Sequence, residues 1–473
     1  MLKNILNIKK DKVFFISITI IIFIIVIFLY KSKQDYSHNY DVDILIKNTT
    51  ILTLNENSQI INDGWIAIKE NRIINIGNND IPFKNPKTII DGKGKVAMPG
   101  LVNTHSHIAL TLLKGVDDDS NLSNWISNIN AYEKKLSEND VYWGSLLGEI
   151  EMIKSGTTTF NDMYFFDDKR IESINKTGIR AVIDIPFSFE NNDLIINSEF
   201  LEKYKNEPTI TFSIAPNPLI NFSKEKLIKI NEIAKNNDLL IHLHIEENRN
   251  EKNEFLKIHN LTPLQLISNA QLFNNKIILA HSINFTNDEI DYISKQENAS
   301  LSFNPKSNIK LTGQTANIKH FIDKNINIGL GTDSSASGGS LDIFDHMNFI
   351  AFSFRNCDNN NSCEQDNKPI ISSENIIKMA TINGAKTLGL ESDIGSLEVG
   401  KKADIILINL KNIGSIPSYD IFSNLVYNTD GSDVSDSIID GKIIMRDGIL
   451  KNINEKEVIE QVNLISKKIK SLK

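Results

Sequence analysis

From Pro99 onward, short apolar runs alternate with longer stretches whose apolar positions recur every three or four residues. Runs of the first kind suit strands and those of the second suit helices, so their alternation marks successive βα units. Eight runs have strand length: Leu101–Thr104, Thr157–Asp162, Arg180–Ile185, Ile210–Ala215, Leu240–His244, Ile277–Ala280, Ser300–Asn304 and Ile328–Gly331. Amphipathic segments such as DVYWGSLLGEIEMIKSG and KEKLIKINEIAKNND lie between them. Eight units in about 240 residues predict a closed (β/α)8 TIM barrel, an α/β fold. An open doubly wound sheet is the competing architecture, but no Gly-rich phosphate loop follows the first run.

The two ends of the chain have another rhythm. DILIKN, TTILTLN, GWIAIKENRIINIG and TIIDGKGKVAM precede the barrel, and ADIILINL and SDSIIDGKIIMRDG follow it. These are short strand segments punctuated by turn formers. They predict one small β-sandwich domain assembled from residues 41–98 and 397–450, with the barrel at 99–396 and an amphipathic helix at 451–473. SSENIIKMATINGAKTLGL reads as a helix that follows the eighth barrel strand.

Residues 1–34 read differently again. Val13–Tyr30 is VFFISITIIIFIIVIFLY, without a formal charge. As a helix it would span roughly 27 Å, enough for a bilayer core. An uncleaved transmembrane anchor is therefore expected, with the lipid bilayer as partner and a single-pass cell-membrane location. Lys3, Lys9, Lys10 and Lys12 outweigh Lys31 and Lys33, which predicts a cytoplasmic N-terminus and an extracytoplasmic barrel domain.

Composition changes little in this picture. Hydrophobic residues at 41 % and charged residues at 23 % suit a folded chain. The formal charge of −8, with no basic stripe, argues against nucleic acid as a partner. Cys357 and Cys363, in CDNNNSC, read either as a small surface disulfide or as two free thiols.

Candidate chemistry gathers at the ends of the predicted strands. THSH follows the first run, HLHIEE ends the fifth, AHS the sixth and GTDSS the eighth. Side chains at i and i+2 of a strand share a face, so His105 and His107 can turn into one barrel mouth. In a barrel all four segments meet at the C-terminal rim. Three imidazoles and a carboxylate there suit a divalent metal with a position left for water.

MPGLVNTHSHIALTLLKG, the W-x7-E spacing of Trp125 and Glu133, SGTTTFNDMYFF, HLHIEE, AHS, NPKSNIKL and LGTDSSASGGSLD together resemble the amidohydrolase superfamily. Within it the chain is most similar to the 5′-methylthioadenosine/S-adenosylhomocysteine deaminases and their chlorohydrolase relatives, over roughly residues 41–445. The resemblance implies His105, His107, His244 and Asp333 as metal ligands. It implies His281 as a hydrogen-bond partner of the reacting water, Glu247 as proton shuttle, Asp333 as a catalytic as well as a ligating residue, and Glu133 near ribose hydroxyls. Trp125, Asn217 and Phe303 complete the expected substrate contacts. His242, deeper on the strand face that carries His244, reads as a packed supporting group, with ligation as the lesser alternative. His38, His259, His320 and His346 read as linker or helix-surface residues.

Three departures bear on substrate: Asn217 and Phe303 stand where the resembled family usually has histidines, and Ala131 replaces a common proline near Glu133. No arginine lies between Arg180 and Arg249, the region expected to clamp a carboxylate tail, so an uncharged tail is expected. The implied activity is hydrolytic deamination of an adenosine-type nucleoside such as 5′-methylthioadenosine. The cofactor is one divalent ion, Zn(2+) ahead of Fe(2+), and the partner is a small heterocyclic substrate, with homo-oligomerisation left open. The alternatives are an amidohydrolase acting on another ring (guanine, cytosine, triazine dechlorination or a cyclic amide) and a catalytically inactive binding protein.

Overall fold

The computed structural model describes residues 41–190, 193–355 and 368–470. Five strands come first: β1 (Ile44–Leu52), β2 (Ile60–Lys69), β3 (Arg72–Gly77), β4 (Thr88–Asp91) and β5 (Lys95–Pro99). The barrel strands are β6 (Leu101–Ser106), β7 (Thr157–Asp162), β8 (Arg180–Asp184), β11 (Ile210–Ile214), β12 (Leu240–Ile245), β13 (Ile277–His281), β14 (Ala299–Phe303) and β15 (Asn327–Leu330). A hairpin, β9 (Phe187–Glu190) and β10 (Asp193–Ile196), is inserted after β8. After the barrel come β16 (Ile405–Asn409), β17 (Val434–Ile439), β18 (Lys442–Arg446) and β19 (Ile449–Leu450).

The eight barrel strands pair in parallel in sequence order from β6 to β15. Each begins and ends within about two residues of its predicted run, because a strand buried on both faces is a continuous apolar block. The seam between β15 and β6 is closed partly by side chains. Asn103 donates to Thr332 Oγ1 (2.7 Å) and accepts from the Thr332 N–H (3.1 Å), while the Asp333 N–H donates to the His105 carbonyl (3.0 Å). Gly331 is needed at this seam. A Cβ there would lie 2.2 Å from Asn304 Oδ1 and 3.0 Å from the Cβ of His105.

Hydrogen bonding joins the terminal strands into one nine-stranded sheet, which corrects the expectation of a two-sheet sandwich. The cause is β1, whose bulges between Ile46 and Ile51 let its first half pair β4 and its second half pair β5. The sheet packs around its own apolar cluster, which includes Ile46, Ile66, Ile68, Ile405 and Ile438. SSENIIKMATINGAKTLGL forms two helices, Ser373–Met379 and Ile382–Thr387, instead of one.

The transmembrane expectation is also corrected. Among the described residues no helix is long and apolar enough to cross a membrane. The two longest, Glu138–Lys154 and Glu455–Lys470, are interrupted by charged residues and lie against each other, with Lys468 donating to Asp140 at 2.6 Å. Val13–Tyr30, on which the anchor, the bilayer partner and the cell-membrane location rested, lies outside the described residues, as do His38, Cys357 and Cys363. The architecture shown is a (β/α)8-like barrel with an accessory sheet.

Candidate metal centre and active site

The ends of β6, β12, β13 and β15 converge on one cavity of about 620 Å³. His105 and His107 leave β6 and the loop after it, His244 lies near the end of β12, His281 ends β13, and Asp333 follows β15. Glu246, His281, Ser282 and Asp333 all have positive φ, between 52° and 70°. Non-glycine residues hold that conformation only where their surroundings over-determine it, commonly at functional sites. Here the chain reverses as soon as each strand ends, which keeps the side chains near the barrel axis.

The donor atoms lie at ligand spacing. His244 Nε2 is 3.2 Å from His107 Nε2 and 3.3 Å from His105 Nε2. Asp333 Oδ1 is 3.5 Å from His107 Nε2 and 3.8 Å from His105 Nε2. Four donors bonded to one ion at about 2.1 Å in a tetrahedron stand roughly 3.4 Å apart. His105, His244 and His281 form a second overlapping group, its donor atoms also within 4.8 Å of one another.

Hydrogen bonds fix which nitrogen His107 and His244 present. His107 Nδ1–H donates to the Met163 carbonyl (2.6 Å) and His244 Nδ1–H to Asn217 Oδ1 (3.1 Å). Behind His105, its Nδ1 meets His242 Nε2 at 2.9 Å. With Nδ1 of His107 and His244 committed as donors, their Nε2 lone pairs face each other at 3.2 Å, and a cation between them relieves that repulsion. Burial, reinforced by neighbouring imidazoles, holds His105 and His244 well below the ordinary histidine value, so both rings stay neutral as metal ligands must. The residues present therefore fit a divalent ion.

Behind the other donors lies a further set of fixed contacts. The Ser307 hydroxyl donates to Asp333 Oδ2 (2.5 Å) and the Ser334 N–H to Asp333 Oδ1 (2.7 Å). His281 Nδ1–H donates to Asn308 Oδ1 (2.8 Å), leaving Nε2 3.7 Å from Glu247 Oε1. Burial lowers His281, but the Glu247 and Asp333 carboxylates outweigh it and raise the ring above its ordinary value. Glu247 is raised by burial first and by Asp333 as well, with His281 opposing. The Glu246 and Glu247 N–H groups both donate to the Glu251 carboxylate (2.9 and 2.8 Å), fixing the turn that carries Glu247.

The remaining expectations divide. Trp125, Glu133 and Asn217 line the cavity with His107, His244, Glu247, His281 and Asp333. Phe303 does not: it is fully buried and packs edge-on against Phe354 at 5.5 Å. It points into the core because side chains alternate along β14. His242 is fully buried behind His105, and burial with nearby imidazoles pushes it down to about 3. His346, expected on a helix surface, is also fully buried. Sequence reading assigned no individual role to Ser307 and Asn308, although NPKSN follows the seventh barrel strand and so had to sit at the same rim. It also missed the apolar wall of Leu110, Leu122, Ile126, Ile129 and Leu219, which no motif marks.

The family pattern described as "Amidohydrolase family" matches residues 96–444. The chain belongs to this amidohydrolase family. A 5′-deoxyadenosine deaminase of Methanosphaera stadtmanae is 36 % identical over 435 residues, covering 90 % of this chain and 99 % of that protein. A 5-methylthioadenosine/S-adenosylhomocysteine deaminase of Carboxydothermus hydrogenoformans is 36 % identical over 429 residues, covering 89 % and 96 %. Among solved structures, an adenosine deaminase from Xanthomonas campestris with bound zinc superposes with a TM-score of 0.83 at 24 % identity, over 91 % of this chain and 99 % of that one. The atrazine chlorohydrolase of Arthrobacter aurescens gives 0.80 at 19 %, over 89 % and 100 %. At such identities the structural likeness speaks for the amidohydrolase fold alone. Family membership and the converging donor set together make this chain a metal-dependent hydrolase.

Proposed function

We propose that this amidohydrolase removes the ring amino group of adenosine-type nucleosides, with 5′-methylthioadenosine as the representative substrate. The observation that carries the reading is Glu247, set in the same cavity as the metal donors His107, His244 and Asp333 and 3.7 Å from His281. A divalent ion at His105, His107, His244 and Asp333 supplies, when bound, a water acidic enough to be a nucleophile near neutral pH. Zinc is the proposed ion, since neutral imidazoles and one carboxylate at tetrahedral spacing suit it, and Fe(2+) is the second candidate.

The side chains account for the proton traffic. Burial favours the neutral form of Glu247, so it can hold a proton and deliver it to the ring nitrogen beside the attacked carbon. Protonation there removes the ring's resistance to addition. His281, anchored through Asn308, orients the reacting oxygen, and Asp333 accepts the proton that oxygen gives up. A C–O bond forms; as the C–N bond breaks, the proton held by Asp333 passes to the amino nitrogen and the new hydroxyl's proton returns to Glu247, so that ammonia leaves with an oxo-purine as co-product. Trp125 contributes in another way: its indole N–H is buried without a protein partner and its ring lines the cavity. An unsatisfied buried donor costs free energy until an acceptor arrives, and a nucleoside offers oxygen and nitrogen acceptors. Glu133, on the same cavity lining, would receive ribose hydroxyls.

The names of the curated relatives support adenosine-type substrates over triazines or cyclic amides. The test is ammonia release by the zinc-loaded enzyme from adenosine, 5′-deoxyadenosine and 5′-methylthioadenosine, against guanine, cytosine and a chlorotriazine. Turnover confined to the second group would overturn the proposal.

A further inference from the structure

Six carboxylates line the cavity: Glu133, Asp184, Glu247, Glu251, Glu254 and Asp333. No lysine or arginine lines it among the described residues. Some of this negative charge is already answered inside the protein. Asp184 pairs with Arg170 at 2.9 Å, and Glu251 is taken up by the Glu246 and Glu247 N–H groups. Asp333 belongs to the metal donors and Glu247 to the reacting ring. Glu254 remains, together with Glu133, which the ribose would engage only in part, and neither has a lysine or arginine within ion-pair distance among the described residues. They stand on different walls, Glu133 at the end of the helix Leu122–Glu133 and Glu254 on the helix Glu251–His259.

Arg249 and Lys252, which flank Glu251 in sequence, are engaged elsewhere. Arg249 Nε donates to Gln314 Oε1 at 2.8 Å. Lys252 Nζ donates to the Asn284 carbonyl (2.8 Å) and to Glu289 Oε2 (2.6 Å). An anionic 5′ substituent entering this cavity would lose hydration, meet no lysine or arginine on its lining and face the carboxylates of Glu133 and Glu254. A cationic group would meet the reverse.

Resting on the deaminase reading above, we infer that the cavity selects adenosine-type nucleosides whose 5′ substituent is uncharged or cationic and turns away carboxylate-bearing ones. S-Adenosylhomocysteine, whose tail ends in a carboxylate, is then a poor substrate even though it figures in the names of some relatives. Glu133 and Glu254 set the discrimination, and the apolar residues Leu122, Ile126 and Ile129 accept a thioether or methyl group.

The test compares a matched pair of 5′-thio-substituted adenosines, one ending in aminoethyl and one in carboxymethyl, with 5′-methylthioadenosine as the neutral reference. With the full-length zinc-loaded enzyme, kcat/KM for the amine should exceed that for the carboxylate by more than about tenfold at low ionic strength, and the ratio should shrink as salt is added. In Glu254→Gln the ratio should fall, and a ratio unchanged in that variant would remove Glu254 from the discrimination. Equal rates on the two charged analogues, or a preference for the carboxylate, would overturn the inference and leave the deaminase reading standing. No ammonia from any of the three nucleosides, or from adenosine, would overturn both.

Discussion

The metal-holding rim and the apolar wall beside it share one cavity but are fixed by different means. At the rim, each functional atom has a named partner behind it: Met163 behind His107, Asn217 behind His244, His242 behind His105, Ser307 behind Asp333 and Asn308 behind His281. These side chains leave strand ends whose register is set by parallel pairing. The wall of Leu122, Trp125, Ile126 and Ile129 comes from one helix outside the barrel sheet. Its positions are set by apolar packing, which many side chains of similar size satisfy. Metal chemistry should therefore tolerate almost no change, whereas substrate choice can drift through the wall without disturbing the ion.

Four substitutions break or sharpen this contrast, from the largest effect to the smallest. His105→Ala removes a ring at the centre of the donor set, and loss of the bound ion with essentially all activity is expected, read by metal analysis and ammonia release. Glu247→Gln should keep the ion and fold but lower kcat by about 10²–10⁴-fold, the usual cost of a lost acid–base group. Full turnover in that variant would remove Glu247 from the mechanism. Asn217→Ala frees His244 Nδ1, and chelator competition should show metal affinity weakened by about 10–100-fold. If Asn217 serves only the substrate, KM alone will rise and the affinity for the ion will stay. Phe303→Leu should leave KM unchanged and reduce stability by about 1 kcal/mol, read from chemical denaturation. A substrate-specific change in KM would return Phe303 to the site.

The same contrast governs what the chain's residues disclosed. The barrel was legible because each strand is a single apolar block, and the ligands because H-x-H, HLH, AHS and TDSS directly follow those blocks. His107 and Asp333 needed only strand counting to be brought together. Asn217 was visible as a departure, but its bond to His244 was not, since that contact joins segments 27 residues apart. Phe303 misled for a related reason. Its place in the motif matched a histidine of the resembled family, yet strand alternation turns it into the core. The bulged β1 that joins the accessory strands into one sheet left no signal in the periodicity, because bulges shift register without changing composition. The apolar run at Val13–Tyr30 was read by length and hydropathy alone, and no described residue extends that reading.

The central claim is that His105, His107, His244 and Asp333 hold a single divalent ion in the barrel mouth. Diffraction from crystals of the zinc-loaded enzyme, collected at the zinc absorption edge, tests it directly. One anomalous peak is expected at about 2.0–2.2 Å from the three Nε2 atoms and an Asp333 oxygen. A peak at another cluster, or a fully active enzyme with none there, would contradict it.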